Sequence, residues 1–145
     1  KKVIVDYSHT ADSLQKALES IHHITKSVRP IYTVFGCGGD RDKSKRPIMG
    51  KIASELSDHI YVTSDNPRSE DPLKIIEEII TGIEGKVAVI NPDREEAIKN
   101  AICNSEENAV ILIAGKGHED YQIINGVKKY FSDKETAIKY LTECK

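Results

Sequence analysis

The sequence predicts an α/β domain: an open, mostly parallel sheet with helices on both faces. Three observations carry that expectation. Short β-branched runs alternate with stretches of helical period along the whole chain, the pattern of strand, crossover and strand. Ala109 to Ala114 is a near-continuous apolar run, as a central parallel strand buried on both faces requires. Turn-forming residues follow the strands, and in open sheets of this Rossmann-like kind ligands gather beyond the carboxyl ends of the strands.

The elements follow in order. Val3 to Asp6 reads as the first strand. Thr10 or Asp12 can cap a helix whose stripe is Leu14, Ala17, Leu18 and Ile21, spaced at the helical period. After Pro30, Ile31 to Phe35 is a second strand that runs into Gly36-Cys37-Gly38-Gly39. Pro47 suits the first turn of a helix carrying Ile48, Met49, Ile52, Ala53 and Leu56. Ile60 to Thr63 is a third strand. Pro72 opens a helix through Leu73, Ile76, Ile79 and Ile80, ended by Gly82 or Gly85. Val87 to Ile90 is a fourth strand, and Asp93 caps a helix with Ala97, Ile98, Ala101 and Ile102. Beyond the strand at Ala109 to Ala114, Tyr121 to Ile124 and Val127 to Phe131 flank Asn125-Gly126, a hairpin signal, expected at one edge of the sheet. Asp133 starts a last helix with Ala137, Ile138 and Leu141.

Composition bounds the function classes. With 145 residues, 39% of them hydrophobic, one domain spanning 1–145 is expected. A formal net charge of -2 gives no electrostatic footprint for nucleic acid or an anionic membrane. The basic run from Arg41 to Lys51 reads as a solvated loop and helix face. No apolar stretch approaches the roughly 20 residues of a membrane span, and no signal peptide is visible. Cys37, Cys103 and Cys144 are odd in number without metal-like spacing, which points to a reducing cytoplasm. The chain opens at Lys1 already inside a strand, the expectation for a piece of a longer protein.

Four unusual segments fall at strand ends: Asp6 to Thr10, Gly36 to Asp42, Asp65 to Arg68, and Gly115 to Glu119. Arg offers a planar fork to a carboxylate, and Glu offers acceptors to an ammonium. Side by side, Arg68 and Glu119 would make a receptor for a zwitterionic amino acid. Each segment also has a plainer reading. Asp65-Asn66-Pro67 are ordinary turn formers, although turn chemistry leaves the Arg unexplained. Arg41, projected by a tight glycine turn, is either a ligand contact or half of a surface salt bridge. Cys37 is either a nucleophile or a small residue in a glycine turn. His9 either touches a phosphate or ribose, or is satisfied locally at a helix entry. His22, His23 and His59 read as solvated. The glycine loop is neither G-x-G-x-x-G at the first strand nor a phosphate loop ending in Gly-Lys-Ser/Thr.

Taken together these segments resemble the C-terminal domain of the Mur ligases, which build the peptidoglycan stem peptide, most nearly the tripeptide-synthetase (MurE) type. The resemblance covers essentially the whole chain and rests on five blocks in the family's order: Val5-Asp6-Tyr7-Ser8-His9-Thr10, Val34 to Asp42, Lys45-Arg46-Pro47, Asp65-Asn66-Pro67-Arg68 and Gly115 to Asp120. Ser8 and Ala11 depart from it, where many relatives carry Ala and Pro.

The resemblance implies one domain of a longer, three-domain, cytoplasmic, ATP-dependent amide ligase that is inactive without its other domains. ATP and Mg2+ would be bound mainly by the central domain, with no metal ligand and no catalytic residue here. The γ-carboxyl of D-Glu in UDP-MurNAc-L-Ala-D-Glu would be activated as an acyl phosphate and attacked by the amine of an incoming diamino acid. Arg41 would pair with the α-carboxylate of that amino acid. Asp65, Asn66, Pro67 and Arg68 would surround its distal end, and Gly115 (through its carbonyl) and Glu119 would hold its distal ammonium. Asp6 and His9 would lie near ATP. The Asp-Asn-Pro-Arg form implies meso-diaminopimelate. The alternatives are an L-lysine-adding ligase, a folylpolyglutamate synthase-like enzyme, and a stand-alone binding module or receiver-like domain.

Overall fold

Alternation of side chains along the strands settles which helices cover which face. The computed structural model describes residues 1–144. Strands β1 (Lys2–Asp6), β2 (Ile31–Phe35), β3 (His59–Val62), β4 (Val89–Ile90) and β5 (Val110–Ala114) form one sheet in the order β1-β5-β2-β3-β4. Every pairing in it is parallel. Ile31, Phe35, Ile60, Val62, Val110, Leu112 and Ala114 point to one face and meet helices α1 (Ala11–Thr25), α2 (Lys45–Leu56) and α3 (Pro72–Ile80). Tyr32, Val34, Tyr61, Ile111 and Ile113 point to the other, against α4 (Arg94–Asn104) and α5 (Asp133–Glu143). This period of two is what a strand buried on both sides must show.

The helix starts follow capping chemistry. Thr10 caps α1 in a reciprocal pair with Ser13, while Asp71, Asp93 and Ser132 accept from the first turns of α3, α4 and α5. Each oxygen satisfies an amide that has no helical partner.

The structure departs from the sequence reading at five places. The fourth strand shortens to Val89–Ile90, whose two side chains are exposed at the open edge. The hairpin of β6 (Tyr121–Ile124) and β7 (Val127–Tyr130) is a separate two-stranded sheet and does not extend the main one. Its backbone pairs instead with the loop after β3, through an isolated bridge between Arg68 and Ile124. Arg46, in the basic run read as solvated, is fully buried, because Glu70, Glu78 and the Gly38 carbonyl supply acceptors. His22 is half-buried, its Nε2 2.8 Å from the Leu56 carbonyl at the end of α2. Cys103 and Cys144 are joined as a disulfide across the packed α4 and α5, with Cα atoms 5.2 Å apart. Among the described residues no helix is long and apolar enough to cross a membrane.

Candidate functional site

Four neighbouring strands, β1, β5, β2 and β3, deliver their carboxyl ends to the same side of the sheet, and the four unusual segments follow them. A cleft of about 520 Å³ opens there. Arg41, Asp65, Asn66, Arg68, Gly115, Glu119 and His9 all line it, with Tyr7, Thr10, Gly38, Asp42 and Lys45 completing the wall. Pro67 does not line it; the residue is buried, with its carbonyl pressed against Gly39. Nor does Asp6, whose carboxylate accepts from Ser8 Oγ and borders an adjoining hollow with Tyr7 and His118.

The loop after β2 is laid directly on the loop after β3. A methyl group on Gly39 would fall 1.9 Å from the Pro67 carbonyl oxygen, and one on Gly36 2.2 Å from that of Thr63. The glycines are therefore needed for close approach, and the residue that turns the chain at positive φ is Asp40. Gly39 N donates to the Asn66 carbonyl at 2.8 Å, and Arg68 Nη1 donates to the Gly39 carbonyl at 2.9 Å. Asp40 accepts from Ser69 N and Oγ, which holds its carboxyl below the usual range. Asp40 N in turn donates to Glu70. Glu70 is drawn down to about 2, first by the hydrogen bonds of Arg46 and then by that amide.

Arg68 itself sits at φ 53°, a region that costs a non-glycine residue on the order of 1 kcal/mol or more. The hairpin holds it there: Arg68 N donates to the Ile123 carbonyl at 2.9 Å, and Asn125 N donates to the Arg68 carbonyl at 2.8 Å. Among the described residues the guanidinium meets only carbonyls, those of Gly39 and Asn66. Arg41, exposed at the rim, donates to its neighbour's carbonyl at Asp40. Among the described residues neither arginine forms an ion pair, so both keep donors for a carboxylate.

The cleft also carries an acidic cluster. Asp65, 8% exposed, lies 3.0 Å from the Nζ of Lys116, and Glu119 lies 3.9 Å from it. Lys116 is fully buried and also donates to Asn66 Oδ1 at 2.8 Å and to the Tyr121 carbonyl at 2.9 Å. Burial lowers its pKa, against the pull of Asp65. The sequence reading passed over Lys116; the one signal for it was a lysine between two glycines, directly after a fully apolar strand. Arg94, also missed, is buried against Asp133 and donates to the carbonyls of Ser64 and Ala114. It thus ties the residues just before Asp65 and Gly115. Burial opposes its charge, yet Asp133 leaves its pKa raised.

His9 stands in the cleft with Nδ1 2.9 Å from the Tyr7 carbonyl and its ring edge-on to Tyr7. Cys37 is 3% exposed, and burial pushes its thiol up to about 12. A thiol so disposed is no nucleophile near neutral pH. Among the described residues no group of three or more His, Cys, Asp and Glu is arranged to hold a metal ion.

Comparison with known proteins covers most of the chain. The family model described as Mur ligase, glutamate ligase domain, matches residues 1–117. The chain is 51% identical over 142 residues to the UDP-N-acetylmuramoyl-L-alanyl-D-glutamate--2,6-diaminopimelate ligase of Prochlorococcus marinus subsp. pastoris, covering 97% of this chain and 27% of that protein. With the ligase of the same name from Haemophilus ducreyi it shares 53% over 143 residues, covering 97% and 28%. The chain therefore spans little more than a quarter of the length of these curated relatives. A solved structure of a ligase of that name superposes with a TM-score of 0.89 at 40% identity, over 97% of this chain and 29% of that one. Folylpolyglutamate synthase from Thermotoga maritima, at 19% identity and a TM-score of 0.54 over 78% of this chain and 24% of that one, shares the fold alone.

Proposed function

The chain belongs to the Mur ligase family, and from that premise we propose that it is the amino-acid-binding domain of a longer, three-domain ligase. That ligase adds meso-diaminopimelate to the D-Glu γ-carboxyl of UDP-MurNAc-L-Ala-D-Glu in peptidoglycan synthesis. The observation that carries this reading is the lining of the cleft. Two guanidinium groups, without ion-pair partners among the described residues, share the cleft with two carboxylates that meet one internal ammonium. Such a surface complements a ligand with carboxylates at both ends and an ammonium beside each.

In this reading Arg41 holds the α-carboxylate next to the reacting amine, and Arg68 takes the distal carboxylate. Glu119 and the Gly115 carbonyl take the distal ammonium, with Asp65 and Asn66 behind them. Pro67 shapes the turn from below, and His9 borders the nucleotide end of the cleft, with Asp6 at the adjoining hollow. ATP, with Mg2+, is held outside this chain and supplies the activation of the γ-carboxyl as an acyl phosphate. This domain contributes position. With both ends clamped, the α-amine gives up its proton and forms the N–C bond, the C–O bond to phosphate breaks, and phosphate leaves with the electron pair. Fixing the amine in this way accounts for a large share of the barrier in such reactions.

L-Lysine lacks the distal carboxylate and would leave the Arg68 fork unpaired in a half-buried site. That penalty supports discrimination of about 10³ against lysine. We place the enzyme in the cytoplasm, with its nucleotide-linked substrates. The test is ATP-dependent addition to UDP-MurNAc-L-Ala-D-Glu by the full-length enzyme, with meso-diaminopimelate and L-lysine compared. A strong preference for diaminopimelate that collapses in Arg68→Ala is expected. Equal or better use of lysine would overturn the role of Arg68, and addition of neither would overturn the ligase reading.

A further inference from the structure

Lys116 is the strangest residue of the site. A lysine with no exposed surface is rare unless it is paired, and this one is surrounded by acceptors from three segments. Its ammonium meets Asn66 Oδ1 at 2.8 Å, the Tyr121 carbonyl at 2.9 Å, Asp65 Oδ1 at 3.0 Å and Glu119 Oε1 at 3.9 Å. Asn66 Oδ1 also accepts from Ile123 N at 3.0 Å, so the same cluster fixes the hairpin. Stability alone does not call for such an arrangement, because a buried ion pair is often no better than an apolar pair of equal volume. Its place does suggest a reason: it lies directly behind the acidic cluster of the cleft.

We propose that Lys116 is a positioning residue for the distal ammonium of the amino acid. It holds Asp65 and Glu119 in place, so that together they accept that ammonium. The inference rests on the functional reading above and deepens it. Two carboxylates and one internal ammonium leave a single negative charge, which one ligand ammonium neutralises. Among the described residues no other cation forms an ion pair with Asp65 or Glu119. Arg94 is engaged by Asp133 and two carbonyls, and Arg68 by two carbonyls on the far side of Asn66. Without Lys116, Asp65 is a nearly buried carboxylate with no ion-pair partner, left with the more distant charge of Arg94. Nothing then fixes the Asp65 carboxylate toward the cleft, and Glu119 loses the attraction that draws it inward. Recognition of an ammonium should therefore weaken, while recognition of carboxylates by the arginines should not.

The experiment uses the full-length ligase and two amino acids, meso-diaminopimelate and 2-aminopimelate, which keeps both carboxylates but lacks the distal ammonium. In Lys116→Met, KM for diaminopimelate should rise roughly 10- to 100-fold, the worth of a lost charge-assisted hydrogen bond, with kcat changed much less. KM for 2-aminopimelate should stay within about twofold, so the preference for the diamine shrinks by the same factor. Equal losses for both amino acids would mean a general loosening of the loops and would overturn the proposal, leaving the functional reading intact. A wild-type enzyme that adds neither amino acid would remove that reading and the proposal with it. Should Lys116→Met fail to fold, the wild-type enzyme labelled with 15N-lysine gives the second readout. The buried Lys116 ammonium resonance should shift on binding diaminopimelate and not on binding 2-aminopimelate. Equal shifts with the two would overturn the proposal.

Discussion

Gly39→Ala is the sharpest perturbation the site offers, since it adds one methyl group and removes no functional group. That methyl would lie 1.9 Å from the Pro67 carbonyl oxygen and 2.6 Å from its carbon. Both are backbone atoms, so no side chain can swing away. Restoring van der Waals contact requires the two loops to part by on the order of 1 to 1.5 Å, and a misplacement of about 1 Å can cost about 10²-fold in rate. The movement would also stretch the hydrogen bonds from Gly39 N to Asn66 and from Arg68 Nη1 to Gly39. It would carry Arg41 away from Arg68. The assay is the steady-state rate of the full-length ligase against amino-acid concentration, with ATP varied separately as an internal control. Gly39→Ala should lower kcat/KM for the amino acid about 10²-fold, while KM for ATP changes little. Gly85→Ala, where nothing lies within 4 Å, should cost only the roughly 1 kcal/mol of a left-handed backbone in stability and leave amino-acid kinetics alone. If Gly39→Ala kept kcat/KM within threefold of wild type, the loop-on-loop geometry would not be what sets the site.

Other outcomes follow from the buried charges. Arg46→Met strands Glu70 and Glu78 and frees the Gly38 carbonyl, and should cost about 2–4 kcal/mol in urea denaturation. A loss under 1 kcal/mol would contradict that. Glu70, held down to about 2 by Arg46 and the Asp40 amide, contributes stability that is complete above its ordinary value near 4.5. That contribution is lost as pH falls toward 2, so Glu70→Gln should flatten the acid side of the stability profile in that window, and an unchanged slope would refute the assignment. Cys37, buried and pushed up to about 12, should resist iodoacetamide at pH 8 in the folded chain and react in urea. Rapid labelling of the native protein would overturn that.

Much of the fold was legible because it depends on local period. The apolar stripes of α1 and α3, the caps Thr10 and Asp93, and the doubly buried β5 each declare themselves within a dozen residues. The convergence of four loops was legible too, since a parallel sheet places every strand's carboxyl end on one side. What was not legible depends on partners distant in sequence. Arg46, Arg94 and Lys116 resemble ordinary surface charges until Glu70, Asp133 and Asn66 are brought to them. The hairpin resembles a sheet edge until the inverted backbone of Arg68 claims its amide and carbonyl groups. Gly36 and Gly39 suggested turns, whereas their actual constraint is the carbonyl of another loop.

In the proposed function one cleft holds a diamino dicarboxylate by a pair of arginines and an acidic cluster. The most direct test is a crystal structure of the full-length enzyme with meso-diaminopimelate bound. The distal carboxylate should lie on the Arg68 guanidinium, the distal ammonium at Glu119 and the Gly115 carbonyl, and the α-carboxylate on Arg41. A ligand seated elsewhere, or seated here with its distal carboxylate turned away from Arg68, would contradict it.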